Sequence, residues 1–337
     1  MSRTLRYSLS VILVAVALAG ATMLYLDRAA HRPLAFTEEP IELREGTGAR
    51  QFAAELVRRG ILNEPYSLVF WARWRDQTRA LKAGEYRFAP GTTMIQMLDK
   101  MVRGEVIRYA VTIVEGWTFD RLLAALRSAP KLRQTLADKI PEQIMTLLGQ
   151  PGRHPEGRFF PDTYVYHAQT TDLDLLRAAY QRMDQSLQDA WNTRGERVRL
   201  KGVDEALILA SIIEKETGRP EERPEIAAVF HNRLARGMRL QTDPTVIYGL
   251  GAAFKGNLTR AHLETDSPYN TYTREGLPPT PIALPGADAI RAATRPAETR
   301  ALYFVARGDG SHQFSETLEE HNAAVNRYQR HGTGKRS

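Results

Sequence analysis

The chain has no cysteine among its 337 residues. That excludes disulfides, thiolate nucleophiles and cysteine-ligated metal. Its eight histidines show no H-x-x-x-H pairing, so no zinc-protease type of site is expected. There is no glycine-rich phosphate cradle, which leaves a pyridoxal-phosphate lyase built on Lys215 poorly supported. The charge excess is modest, with 46 Lys and Arg against 39 Asp and Glu. Long basic runs and RNP-like aromatic patterns are missing too, so nucleic acid is not an expected partner. No cofactor and no metal are expected.

One long apolar run is present. Leu9–Leu26 carries no charge, follows Arg3 and Arg6, and precedes Asp27 and Arg28. At about 1.5 Å per residue it is long enough to cross most of a bilayer core. Tyr7 and Tyr25 stand near its ends, where aromatic rings favour the membrane interface. The positive flank predicts a single pass with a cytoplasmic N-terminus and the body outside. Ala17-Leu18-Ala19 also fits a signal-peptide cleavage pattern. Because Gly20–Leu26 continues the run past that point, an uncleaved anchor is the expectation.

After a polar, proline-containing stretch at Ala29–Glu39, three similar units follow. Ile41–Leu43, Tyr86–Phe88 and Val111–Val114 each read as a short strand. Each leads through a glycine turn into an amphipathic helix with i, i+3/i+4 apolar spacing. Thr93 and Gln96 can form a capping box. Trp71, Trp74 and Tyr86 could stack on sugar rings or be ordinary core and rim aromatics. Ala129–Val203 reads as mainly helical, with a turn-rich break at Pro151–Pro161 and Arg153, Glu156, Phe159, Phe160, Asp162 and Tyr164 in or beside it.

The densest signal is Ala206–Ile213, an almost unbroken apolar segment ending in Glu214, with Gly218 and Pro220 just beyond. It predicts a buried helix with a stop signal. A carboxyl at the edge of such a helix is partly desolvated, which raises its pKa towards what a general acid needs. Glu216, two positions on, falls on another helix face, where a solvated side chain would make it a matched control. His231 and Asn232 sit on a helix that ends near Gly237, a place where histidine is more often structural. Asp243 before Pro244 reads as a helix cap or a polar site residue.

Six separated segments, ASIIEKE (Ala210–Glu216), VFHNRL (Val229–Leu234), GMRLQTDPTVIYG (Gly237–Gly249), SPYNTY (Ser267–Tyr272), GLPPTPIALPG (Gly276–Gly286) and LYFVARGDGSHQFS (Leu302–Ser315), occur in order. Together they resemble the motif series of the MltG/YceG-like endolytic murein transglycosylases. GEYRFAPGTT (Gly84–Thr93) and EGRFFPDTYVY (Glu156–Tyr166) extend the likeness upstream. The resemblance implies an α+β protein with an N-terminal transmembrane helix, a small LysM-like strand–helix module and a mixed α/β catalytic domain. The matching boundaries are a cytoplasmic N-terminus at 1–8, an anchor at 9–26, a stalk at 27–40, the LysM-like module at 41–110, a connecting and cleft-flanking region at 111–200, and a YceG-like catalytic domain at 201–337. It further implies location in the bacterial inner membrane with the catalytic body periplasmic. The implied partners are peptidoglycan glycan strands and, by analogy, membrane-bound murein synthases.

The implied acid/base is the first glutamate of ASIIEKE, Glu214. One such group can protonate the bond between N-acetylmuramic acid and N-acetylglucosamine, then take the proton of the muramic C6 hydroxyl as that oxygen attacks C1. The product is a 1,6-anhydro end. Gln241, Asp243, Thr245, Tyr269, Asn270 and Tyr272 are the expected sugar-binding residues. A muramidase-type hydrolase with Asp243 as second carboxylate and a non-catalytic, membrane-tethered glycan-binding scaffold are the alternatives.

Overall fold

The computed structural model describes residues 3–330. The first two residues of the 1–8 segment and the last seven of the 201–337 segment lie outside that range. The first element, α1, is a helix over Arg3–His31. Its candidate membrane span is Tyr7–His31, and the apolar residues from Leu9 to Tyr25 are all exposed. It therefore runs five residues past the apolar stretch.

The chain divides into two compact units. The first contains residues 1–109 with short returns at 130–133 and 165–170. After α1 come β1 (Ile41–Leu43), α2 (Ala49–Arg58), α3 (Tyr66–Trp74), β2 (Gly84–Tyr86) and α4 (Met94–Arg103). β1 and β2 pair antiparallel, Ile41 opposite Tyr86 and Leu43 opposite Gly84. The apolar periodicity of α2 and α4 turns Phe52, Leu56, Met94, Met97, Leu98 and Met101 onto one core. Thr93 caps α4 through the capping box with Gln96. The segment expected to be a stalk is docked instead. Leu34 and Phe36 are buried in this core, and the Leu34 amide donates to the Thr92 carbonyl at 3.0 Å. Tyr86 is fully buried, so it is a core residue and presents no face to a sugar.

The second unit holds 110–129, 134–164 and everything from 171 onwards. Its elements are α5 (Phe119–Ser128), α6 (Pro141–Leu147), α7 (Asp172–Asn192), α8 (Val203–Glu216), α9 (Arg223–Ala235), α10 (Asp243–Leu250), α11 (Arg260–Glu264), α12 (Ala287–Thr294), a hairpin of β5 (Tyr303–Ala306) with β6 (His312–Ser315), and α13 (Leu318–Val325). A separate two-stranded ladder pairs β3 (Tyr109–Thr112) with β4 (Thr163–Tyr166). The core is built around α8. Every residue from Ala206 to Ile213 is buried, against Ile226, Phe230, Ile282 and Ile290 from surrounding segments. A helix apolar on all sides must be enclosed on all sides, and α12 packs along it most extensively.

Polar residues of VFHNRL lock this core. His231 accepts from the Arg199 amide at 3.1 Å and its other ring nitrogen meets the Ala293 carbonyl at 2.8 Å. Asn232 donates to the carbonyls of Thr299 and Ala301. Arg233 donates to those of Leu302 and Leu240, both at 2.7 Å. These side chains replace the backbone partners that the irregular 293–302 segment lacks.

Candidate active site

Helix α8 ends at Glu216 because Thr217 is extended and Gly218 follows. Glu214 and Glu216 both lie in its last turn, about 200° apart around the axis. Burial lifts both pKa values. The negative end of the helix dipole acts in the same direction. Their surroundings differ in kind.

Glu216 borders a cleft of about 500 Å³ lined by Arg233, Gln241, Asp243, Tyr272, His312 and Asn322 among others. Burial first, and the Asp243 charge, push its carboxyl up to about 7 against the opposing pull of a Thr242 hydroxyl, His312 and Arg233. The Thr242 Oγ1 hydroxyl donates to Glu216 Oε1. Thr242 is itself fixed, since its amide donates to Thr271 Oγ1 at 3.1 Å and its carbonyl accepts from Thr245 Oγ1 at 2.8 Å. Gln241, just before it, holds φ at +50°, a conformation costing about 1–3 kcal/mol for a residue with a side chain. Tyr272 donates to Asp243 Oδ1 at 2.5 Å. Asp243 opens α10 and the cap position falls one residue earlier, at Thr242. Glu216 is therefore not a freely solvated side chain: Thr242 of the 237–249 segment bonds it at the wall of the cleft.

Glu214 is committed to a different network, with its side chain 6% exposed. Arg223 Nη2 donates to its Oε1 at 3.0 Å, and the Gly286 amide donates to its Oε2 at 2.9 Å. Glu115 and Asp288 stand 3.8 and 4.0 Å from the same guanidinium. Burial outweighs the Gly286 and Arg223 contributions, so the net shift is still upward.

A third carboxyl emerges only in the fold. Glu156 is buried, accepts the Phe119 amide at 3.0 Å and the Tyr248 hydroxyl at 3.1 Å, and is pushed up to about 7 by burial. It lines a cavity of about 690 Å³ with Thr118, Asp120, Lys215, Ile247 and Tyr248. Lys215 is exposed and reaches the Gly116 carbonyl at 3.4 Å. Nothing in the local pattern of EGRFF singles out that role, because its partners are 37 and 92 residues away.

The six expected sugar-binding residues separate into three groups. Gln241, Asp243 and Tyr272 line the Glu216 cleft. Thr245 and Asn270 are buried. The first hydroxyl bonds Thr242 and Thr271, and the Asn270 amide bonds the carbonyls of His262, Leu263 and Thr265. Tyr269 turns to Tyr248, ring centroids 5.0 Å apart, and its hydroxyl meets Thr280. Among the described residues no group of three or more His, Asp and Glu is arranged to hold a metal ion.

The sequence pattern of the YceG-like family matches residues 41–327, spanning both units. The chain belongs to the YceG-like family. The endolytic murein transglycosylase of Bacillus subtilis is 30% identical over 86% of this chain and 84% of its own length. That of Streptococcus pneumoniae D39 is 29% identical, and the alignment spans 57% of the pneumococcal protein. The crystal structure of a YceG-like protein from Listeria monocytogenes superposes with a TM-score of 0.52 at 31% identity, covering 85% of this chain and 98% of that one. Family membership and the mixed α/β fold of the second unit thus agree with the motif series read from sequence.

Proposed function

We propose that this protein is a membrane-anchored endolytic lytic transglycosylase, cutting the bond between N-acetylmuramic acid and N-acetylglucosamine within peptidoglycan strands. The observation that carries the reading is the Glu216 carboxyl at the wall of a polar cleft, in no ion pair among the described residues and pushed up to about 7 by burial. A carboxyl poised there is protonated often enough to give a proton and ionised often enough to take one back. The motif resemblance assigns this role to Glu214. Its bonds to Arg223 and Gly286 favour a positioning role, and those of Glu216 favour the chemistry.

In this reading Glu216 protonates the leaving glycosidic oxygen. Positive charge grows at muramic C1, and the substrate's acetamido oxygen or the nearby Asp243 carboxylate stabilises it. Glu216, now ionised, accepts the proton of the C6 hydroxyl as that oxygen bonds to C1. A 1,6-anhydro ring closes and no water is consumed. Tyr272 holds Asp243 in place, and Gln241 offers amide hydrogen bonds to the sugar.

The β–α–α–β order of 41–86 supports a LysM-like role for the first unit, binding glycan beside the membrane. The basic flank and apolar α1 support a cytoplasmic N-terminus with the catalytic body on the outer side of the inner membrane. Membrane-bound murein synthases are the neighbours that such a location supports. The deciding experiment is mass spectrometry of glycan strands digested by the full chain. An anhydro product one water lighter than the hydrolysis product is expected. A hydrated reducing end would instead favour the two-carboxylate hydrolase with Glu216 and Asp243. No cleavage at all would leave the glycan-binding scaffold.

A further inference from the structure

Helix α3 carries an aromatic ledge that is no part of the Glu216 cleft. Tyr66, Phe70 and Trp74 recur at i, i+4 and i+8, which places them on one face. Tyr66 is 72% exposed and Trp74 67%, and the Phe70 ring stacks on that of Trp74 with centroids 5.7 Å apart. With Arg50, Pro65, Val69 and Arg73 they line a shallow groove of about 500 Å³ that contains no acidic residue. A contiguous exposed aromatic surface of this kind marks a binding face.

The back of the same helix fixes where that face lies. Trp71 donates its indole N–H to the Leu26 carbonyl at 3.0 Å. Leu26 is the last residue of the uncharged run. The loop before α3, Gly60–Glu64, shares a cavity with Tyr25, Arg28 and Arg32 of the α1 exit. Glu64 caps α3 by accepting the Tyr66 and Ser67 amides. α3 is thus held at the level where α1 leaves the hydrocarbon. Tryptophan and tyrosine are favoured at that depth, and arginine stems lie along apolar surface while their heads reach anionic headgroups.

We infer that Tyr66, Phe70 and Trp74, flanked by Arg50 and Arg73, rest in the headgroup layer of the bilayer that α1 crosses. The inference rests on α1 spanning the membrane. It makes the first unit a body seated on the lipid surface at two places, the anchor and the ledge. The docked 29–36 segment, which leaves no free stalk between them, agrees with this.

The absence of cysteine allows a clean test. Single cysteines replace Val14, Tyr66 or Trp74 in the full chain, and a nitroxide is attached to each. All three side chains are exposed, so the core is untouched, and each ledge variant keeps the other two aromatics. The proteins are placed in bilayer discs containing anionic lipid. Collision rates with lipid-soluble oxygen and with a water-soluble nickel chelate are then read by electron paramagnetic resonance. The expected result is an oxygen-to-nickel ratio at positions 66 and 74 several-fold above that of free nitroxide in water, and below that at position 14. Nickel access at 66 and 74 equal to that of the free label, with position 14 still in lipid, overturns the ledge and leaves the anchor. Water access at position 14 removes both. Loss of nickel access at 74 only after glycan strands are added would make the ledge a sugar platform and overturn the lipid assignment.

Discussion

Arg223 holds the Glu214 carboxylate at 3.0 Å, with both side chains more than nine-tenths buried. A buried ion pair is costly to break, because the surviving charge is left without its partner. Glu214→Gln is therefore expected to lower unfolding stability by up to about 3 kcal/mol, softened by Glu115 and Asp288 nearby. Glu216→Gln removes no ion pair among the described residues. At a pH low enough to keep Glu216 protonated it should leave thermal unfolding almost unchanged, and it should lower turnover on the order of 100-fold or more, the usual scale of general acid–base catalysis. Thermal melts and glycan-release rates on both variants check the pair. Full activity in Glu216→Gln, with loss in a folded Glu214→Gln, would return the chemistry to Glu214.

Tyr272 donates to Asp243 within the Glu216 cleft. Tyr272→Phe frees the Asp243 carboxylate from its support and should reduce turnover by roughly tenfold, on the scale of about 1.4 kcal/mol per decade. The residual product should still carry the anhydro ring. Chromatography of the released strand ends checks this, and a hydrated end in the variant would show that Asp243 orients water.

Much of this architecture is legible in the sequence because it is local. Ala206–Ile213 is apolar at every position but Ser211, and only a fully enclosed helix satisfies that pattern. Thr93 and Gln96 announce their capping box three residues apart. The two carboxyls of ASIIEKE are a different case. Helical spacing shows that Glu214 and Glu216 face apart, but which face meets Arg223 and which meets Thr242 depends on segments that return from elsewhere in the chain. The same holds for Thr245 and Asn270. Their side chains look suited to a sugar, yet each is consumed by backbone or hydroxyl partners that only the fold supplies. Helix α3 was hidden for another reason, since Trp71 and Trp74 read as rim, core or sugar-stacking residues until Trp71 is seen bonded to Leu26.

Gly157 follows Glu156 at φ +80°, and a Cβ there would lie 2.5 Å from the Cβ of Pro281. Gly157→Ala combines a left-handed backbone with overpacking against a rigid proline. A loss of about 2–4 kcal/mol is expected, read as a lower midpoint in thermal unfolding. Displacement of the adjoining Glu156 should also weaken activity.

Glu156 sets a pH dependence of stability. Its folded pKa, about 7, lies above the ordinary carboxyl value. The folded state therefore holds a proton that the unfolded chain has released. The contribution is fully present below the unfolded pKa and is lost as pH rises through about 7. At most about 3 kcal/mol is involved, from 1.36 kcal/mol per unit. Glu216 adds a change of the same sign. Stability of the wild type should fall between about pH 5 and 7, and Glu156→Gln should flatten part of that slope. An unaltered slope in denaturant titrations would show that Glu156 stays ionised throughout.

The pH dependence of turnover should identify the acid directly. A general acid must be protonated, so kcat/KM should decline as pH rises through about 7, where Glu216 loses its proton. Two neighbours should move that decline in opposite directions. The Thr242 hydroxyl donates to Glu216 and favours its ionised form, so Thr242→Val raises the pKa and shifts the decline to higher pH. The Asp243 charge disfavours the ionised form, so Asp243→Asn shifts it to lower pH. A role confined to packing would lower activity at every pH and leave the midpoint in place. Opposite displacements in the two variants, measured with the full chain on isolated glycan strands, would assign the titration to Glu216. A midpoint that ignores both, yet moves when Arg223 is replaced by lysine, would assign it to Glu214.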